Sequence, residues 1–244
     1  YGGGSLSPDG RYVIWWDGDA REWWALDTDT RTAWTASSRV PTPLHDELDD
    51  HPQPPPPYGA AGFTEDGDFL VYDRHDIWKV DPTQNGEEPV NLTEGVGRRD
   101  GLRFRYVRTD PDEDFVPTDE EVLLSAFHLT EKDDGYYRDH FGADRRPTEV
   151  VMGSYALGYP RAAEDADRFM LTRETFEEFP DLYVTGTDFG DFQRVSDANP
   201  QQDEYLWGTA ELVEWTSADN VPLQGILYKP EDFDPSKKYP MMVY

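Results

Sequence analysis

Serine, histidine and carboxylate side chains are all present in this chain, but their spacing keeps them out of the arrangements that would do hydrolytic or metal chemistry. A serine nucleophile on a strained strand-to-helix elbow needs glycine two positions before and after it, because larger flanking side chains would clash there. No serine in the sequence has that frame. Gly153-Ser154-Tyr155-Ala156-Leu157-Gly158 comes nearest, with the wrong spacing, and Ser154 is expected at the end of a strand. The five histidines, His45, His51, His75, His128 and His140, form no pair at helical spacing, and the chain has no cysteine, so neither a zinc centre nor a disulfide framework is expected. His75 lies among Asp73, Arg74 and Asp76 and reads as a turn histidine with carboxylate neighbours. Asp110, Asp112 and Asp114 alternate, with Glu121 where a calcium loop would place its bidentate carboxylate. Phe115, however, stands where that loop needs glycine, and Pro111 and Pro117 break its flanks, so a solvated acidic loop is expected. No catalytic residue and no metal ligand is assigned within the chain, its substrate-binding residues stay open, and no cofactor is implied.

Arg98, Arg99, Arg103 and Arg105 form the one basic cluster. They could meet a substrate carboxylate; the commoner role for such arginines is to pair with nearby acids, here Asp100, Asp110 and Asp112. Asn91-Leu92-Thr93 has the form of a glycosylation acceptor, though a Leu-Thr strand end accounts for it equally well. The surroundings are strongly acidic: 51 Asp and Glu against 22 Lys and Arg give a formal net charge of -29, spread along the whole chain. That balance argues against a nucleic-acid partner. It fits either a protein from a saline habitat, where ions screen the self-repulsion, or an ordinary acidic surface. No apolar run is long enough to span a membrane.

The elements that must position these groups show a repeat. One unit runs Ser7-Pro8-Asp9-Gly10 into Arg11–Trp16, then Glu22–Asp27, then Thr32–Thr35. A second runs Thr64-Glu65-Asp66-Gly67 into Asp68–Tyr72, then Asp76–Pro82, then Pro89–Thr93. A third, degenerate unit comprises Val122–Phe127, Gly135–Arg138 and Thr148–Met152, and a fourth Asp167–Thr172, Pro180–Thr185 and Gln193–Ser196. Each combines an Asp-Gly or similar turn, a half-buried strand, a strand with an aromatic between aliphatics, and a short strand ending in Ser or Thr. Repeated sheets of this length are the signature of β-propeller blades, so the expected fold is all-β. His51-Pro52-Gln53-Pro54-Pro55-Pro56-Pro57 cannot join a ladder and reads as a stiff connection between the first two units.

After the fourth unit, Glu211–Thr216 and Leu223–Lys229 form a hairpin by pattern, and a polar loop leads to Tyr239-Pro240-Met241-Met242-Val243-Tyr244, which reads as a strand with the chain expected to continue beyond it. This order, strongest from Phe179 to Tyr244 and again from Tyr58 to Arg108, resembles the prolyl oligopeptidase family of serine peptidases, in its dipeptidyl-peptidase-like and acylaminoacyl-peptidase-like branches. The resemblance implies a partial β-propeller of about four blade-like units over residues 1–208 and the first strands of a truncated α/β-hydrolase domain over 209–244. It implies that the whole protein hydrolyses short peptides with a serine, histidine and aspartate that lie outside this chain. The present residues would be the non-catalytic part that gates the site, with a peptide substrate as partner and a lean toward a periplasmic or extracellular setting. In the dipeptidyl-peptidase branch a glutamate pair holds the substrate's free amino end, and Glu177-Glu178 invites comparison, although the residues around it do not match that branch's motif. A free-standing propeller that binds a peptide, glycan or envelope protein is the alternative, since one fold serves many functions.

Overall fold

The computed structural model describes residues 4–143 and 145–243. Four antiparallel sheets follow one another along the chain, and three of them are simple meanders. The first joins β1 (Ser5–Leu6), β2 (Tyr12–Asp17), β3 (Glu22–Asp27) and β4 (Ala33–Thr35) in sequence order, and the second joins β5 (Ala60–Phe63), β6 (Phe69–Tyr72), β7 (Ile77–Val80) and β8 (Val90–Asn91). A short helix, α1 (Val96–Asp100), leads to the third sheet, built from β9 (Leu102–Val107), β10 (Val122–His128), β11 (Asp134–Asp139) and β12 (Thr148–Gly153). In the fourth, β13 (Ala156–Leu157) and β14 (Arg161–Ala163) both pair with β15 (Ala166–Glu174), followed by β16 (Asp181–Gly186) and β17 (Gln193–Arg194). A separate hairpin of β18 (Thr209–Thr216) and β19 (Pro222–Lys229) comes last.

The all-β expectation holds, and each sequence repeat has its own sheet. Two readings change. The third unit is not degenerate: Leu102–Val107 supplies its first strand, pairing with β10 from Leu102↔His128 to Val107↔Leu123. The basic cluster had masked a strand whose Leu102 and Phe104 turn inward while Arg103 and Arg105 turn outward, the two-residue alternation of a pleated strand. Tyr239–Val243, expected as a strand, forms none, and Met241, Met242 and Val243 are exposed. Tyr244 lies outside the described residues. An apolar run becomes a strand only where another strand's N–H and C=O groups lie alongside it, and among the described residues none does here.

The repeat has a side-chain logic. In the first sheet the Ser37 hydroxyl donates to Glu22 and accepts the Trp23 N–H at 2.9 Å. In the second, Thr93 donates to Asp76 Oδ1 at 2.8 Å and accepts the Ile77 N–H at 3.3 Å. In the fourth, Ser196 donates to Asp181 Oδ1 at 2.5 Å and accepts the Leu182 N–H at 2.8 Å. Each hydroxyl latches the end of the last strand to an acid at the start of the strand before it. That is why the short strands end in Ser or Thr. The turns repeat as well: Ser7 Oγ accepts the Tyr12 N–H at 2.8 Å and Thr64 Oγ1 the Asp68 N–H at 3.1 Å. Gly10 and Gly67 stand in those turns at φ 73° and 91°, a region side chains rarely adopt.

Three apolar clusters lie between successive sheets. Ile14, Trp23 and Ala25 of the first sheet meet Phe69, Val71 and Trp78 of the second. Leu70, Tyr72 and Ile77 on the opposite face of the second meet Phe104, Leu124 and Tyr137 of the third. Leu123 and Tyr136 on the far side of the third meet Phe169 and Leu171 of the fourth. β6 is therefore buried at all four positions, because alternate residues serve different cores.

One buried carboxyl lacks full compensation. Asp139, at the end of β11, accepts the His140 N–H at 2.7 Å through Oδ1 while Oδ2 has no partner, and burial pushes its pKa to about 6. The unfolded chain ionises this group near pH 4, so between pH 4 and 6 the folded state holds the extra proton and stability falls as pH rises. Asp139→Asn is expected to leave stability unchanged at pH 4 and to raise it by about 1 kcal/mol at pH 7.5, after allowance for solvent screening. Urea unfolding at the two pH values checks this, and an equal difference at both would contradict it.

Candidate functional site

Arg74, Arg103 and Arg105, which make no ion pair among the described residues, line a cavity of about 770 Å³. The proline connection supplies one wall: the Asp46 N–H bonds the Pro56 carbonyl at 2.8 Å and the Tyr58 N–H the Leu44 carbonyl at 2.9 Å, which holds Pro56, Pro57 and Tyr58 at the opening. The turn between β6 and β7 supplies Arg74, β9 supplies Arg103, Arg105 and Tyr106, and β10 and β11 supply Phe127, Asp134 and Tyr136.

Arg105 is fixed from several sides. Its Nη1 donates to the Phe104 carbonyl at 2.6 Å and its Nη2 to the Asp73 carbonyl at 3.1 Å, while the guanidinium lies over the Tyr72 ring, 4.5 Å from the centroid. Burial pulls its pKa down to about 10; Tyr72 and Asp73 oppose that shift and the neighbouring charge of Arg103 adds to it. Arg105 still carries its charge at neutral pH. The Arg103 guanidinium lies 5.1 Å from the centroid of the Phe127 ring. Asp134 is pushed above its ordinary value by burial, even though its side chain accepts the Leu157 N–H at 3.1 Å and Arg103 attracts it.

The expected pairing of the basic cluster is only partly met. Arg99 does pair with Asp100, but Arg98 reaches Asp73 Oδ2 at 3.2 Å, in neither case Asp110 or Asp112. Among the described residues Arg74, Arg103 and Arg105 make no ion pair within 4 Å, whereas Arg138, Arg145, Arg173 and Arg194 all do. Asp110 instead turns its own loop by accepting the Asp112 N–H at 2.8 Å.

A second cavity, of about 750 Å³, adjoins the first through Phe127 and Asp134. Its character is opposite: Glu131, Asp133, Glu174 and Glu177 line it, with Lys132. The hairpin closes one side through Ala210 and Ile226. It is held there by Trp207, whose Nε1 donates to the Phe176 carbonyl at 2.6 Å, and by the Phe176 and Tyr228 rings, 5.0 Å apart. Gly208 is required in this connection, since a Cβ there would meet the Lys229 carbonyl oxygen at 2.3 Å. The glutamate pair is split: Glu178 bonds Arg173 at 3.3 Å, and Glu177 alone lines the cavity.

The remaining sequence candidates take structural positions. Ser154 is exposed and donates to Asp133 Oδ1 at 2.8 Å, the third sheet's counterpart of the hydroxyl–acid latches. His75 bonds the Leu102 carbonyl at 2.8 Å through Nδ1 and so ties the second sheet to the third. His128 Nδ1 accepts the Glu131 N–H at 3.0 Å, and His45 faces Pro57 in an isolated bridge. His140 is half-buried with Nδ1 unpartnered. His51 bonds Asp49 and, with Asp50, forms an acidic group at the surface. Glu121 is taken by Arg138 and Arg145, each at 2.7 Å, and is not gathered with Asp110, Asp112 or Asp114. Thr93 of the glycosylation-like triplet is fully buried and engaged with Asp76. Arg74 and the Asp73 network were missed in the sequence; the alternation of Leu102, Arg103, Phe104 and Arg105 was the signal that could have found the arginine face.

No family model matches the chain. A probable dipeptidyl-aminopeptidase B of Talaromyces marneffei is 26% identical over 193 residues, covering 76% of this chain and 20% of that protein. The chain thus spans about a fifth of the length of the curated relative it matches. Among solved structures, a puromycin hydrolase variant complexed with PGG aligns over 98% of this chain and 35% of its own, at 15% identity and a TM-score of 0.53, which places both in one fold. A prolyl oligopeptidase B from Galerina marginata aligns over 93% of this chain and 30% of its own, at 12% identity and a TM-score of 0.49. The sequence kinship to a dipeptidyl-aminopeptidase, on an all-β fold of successive four-stranded sheets, relates this chain to the prolyl oligopeptidase family of serine peptidases.

Proposed function

We propose that this chain is the substrate-gating part of a serine peptidase that hydrolyses short peptides. Residues 1–208 form propeller blades, and residues 209–244 begin the hydrolase domain. The observation that carries this reading is the sequence similarity to a dipeptidyl-aminopeptidase over three quarters of the chain. The stacked sheets and the hairpin docked after the fourth of them agree with it. Since no serine here has the glycine frame of a nucleophile elbow, the reacting serine, its histidine base and the orienting aspartate come from further sequence. The role of these 244 residues is to bind and orient the peptide and to keep folded proteins from the reacting atoms, which gains rate by holding the substrate near its attack geometry.

The test is to read the gene onward from the Tyr244 codon, express the whole reading frame and assay it on chromogenic short peptides. The expected result is hydrolysis that a serine-directed phosphonate abolishes, that a folded protein substrate does not undergo, and that residues 1–244 alone do not show. A stop codon directly after Tyr244, or hydrolysis indifferent to the phosphonate, would overturn the proposal.

A further inference from the structure

Arginines in so acidic a chain should find carboxylates easily. With 51 acidic residues against 22 basic ones, acids are in excess, and ten of the seventeen arginines pair with a carboxylate within 4 Å among the described residues. Arg21, Arg31, Arg161 and Arg168 are unpaired too but stand exposed, where water solvates them, whereas Arg74 and Arg105 are half-buried. Arg74, from the turn between β6 and β7, and Arg103 and Arg105, from β9, line one cavity and have no carboxylate within 4 Å among the described residues. Asp46 and Asp134 also line the cavity and Arg103 attracts Asp134, yet neither acid pairs directly with the three guanidinium groups among the described residues, so a bound anion would still find unpaired donors there.

The geometry favours a planar anion. Arg105 spends two N–H groups on the carbonyls of Phe104 and Asp73 and stacks on Tyr72, so its plane is set before any ligand arrives. A guanidinium has five N–H donors, which leaves an oriented fork suited to the two oxygens of a carboxylate. Arg103 leaves the same strand two residues earlier, on the same face, and brings a second cation to that spot. The cavity walls are Tyr58, Phe127, Tyr136 and Leu157, which offer an apolar residue a place beside the charge.

We propose that Arg103 and Arg105, with Arg74, form a subsite for a peptide carboxylate flanked by an apolar side chain. The inference rests on the peptide-gating reading above and names the group on the peptide that this part of the protein grips. The carboxylate is either the peptide's C-terminus or an acidic side chain, and the two sources are separable. Such a ligand would also offset the burial and the neighbouring Arg103 charge that lower the Arg105 pKa.

The experiment is isothermal titration of the 244-residue chain at low salt with four probes. These are acetyl-Ala-Ala-Phe with a free C-terminus, the same peptide as its amide, acetyl-Ala-Glu-Phe amide, and inorganic phosphate. At least one carboxylate peptide is expected to bind about 10–100-fold more tightly than the uncharged amide, the range of a charge-assisted hydrogen-bond pair. The tighter of the two identifies the source. Arg103→Gln is expected to bring that peptide close to the affinity of the amide, with Arg168→Gln on the exposed face of β15 leaving it unchanged. Because Arg103 donates no hydrogen bond among the described residues, that variant should fold normally, which its urea midpoint checks; Arg105→Gln is the second, more structural variant. Equal affinity of acid and amide, insensitivity to Arg103→Gln, or phosphate binding as tightly as the best peptide would each overturn the proposal. The titration reads binding without hydrolysis, so its failure is distinguishable from failure of the peptidase assay.

Discussion

Replacing Asp73 with alanine lowers the stability of the fold by about 3–5 kcal/mol, the summed cost of leaving several buried donors without their acceptor. Asp73 is fully buried in the turn between β6 and β7. Its Oδ1 accepts the N–H groups of His75 and Asp76, both at 2.6 Å. Its Oδ2 accepts from Thr42 Oγ1 at 2.8 Å, Trp78 Nε1 at 3.1 Å and Arg98 Nη2 at 3.2 Å. These donors come from the connection after the first sheet, from β7 and from α1, so one carboxylate joins three segments. Burial pushes the Asp73 carboxyl up, but the N–H groups of Asp76 and His75, the Thr42 hydroxyl and the Trp78 ring outweigh it and leave the pKa below the ordinary 3.8. Its contribution is therefore complete above about pH 4 and is lost as pH falls through the lower, folded-state value. Urea unfolding at pH 7 measures the loss, and a change under about 1 kcal/mol would show that the network is dispensable. Because the Asp73 carbonyl also holds Arg105, the variant should weaken carboxylate binding as well, whereas Asp139→Asn should not.

The second large effect is expected on the opposite face of the arginine strand. Phe104 is fully buried between the second and third sheets and meets the Tyr137 ring edge-on at 5.1 Å. Phe104→Ala removes that contact and leaves a void bounded by two sheets, which cannot readily close up on it; a cost of about 3–5 kcal/mol is expected. Phe104→Leu should lose clearly less, since most of the volume is kept. If the alanine and leucine variants unfold at the same urea concentration, the contact is not what holds β9 in place. The comparison matters for the cavity because Phe104 inside and Arg103 and Arg105 outside are alternate residues of one strand.

The repeated sheets were legible in the sequence because turns, aromatic strands and Ser/Thr endings recur in one order, and each maps to a local contact. Ser37, Thr93 and Ser196 even occupy equivalent latch positions. The cavity was not legible, because it gathers Tyr58, Arg74, Arg103, Phe127 and Tyr159 from five separate segments, and no spacing encodes that meeting. Arg103 and Arg105 drew attention as charge, yet charge alone suggested partners near in sequence, and Asp110 and Asp112 turned out to serve their own loop. Arg98 found its acid 25 residues upstream. The apolar run at Tyr239 misled for a related reason: hydrophobicity proposes a strand, but only a neighbouring ladder makes one.

The order of the sheets has a consequence for how the chain acquires its structure. Nearly every ladder joins strands that are neighbours in sequence, so each meander can close over short loops with little entropy lost to closure. Docking one sheet on the next is the slower, non-local event. The second sheet is a special case, since Asp73 and Asp76 bind Arg98 and Gly97 of the helix that follows it and His75 binds the carbonyl of Leu102. Only the His75 bond to Leu102 must wait for the third sheet; Asp73 also bonds His75, Asp76 and Trp78 within the second sheet itself, so its network forms in part with that meander and is completed when α1 arrives. Removal of Asp73 should therefore both slow folding and accelerate unfolding, because its contacts divide between those made early and those made late.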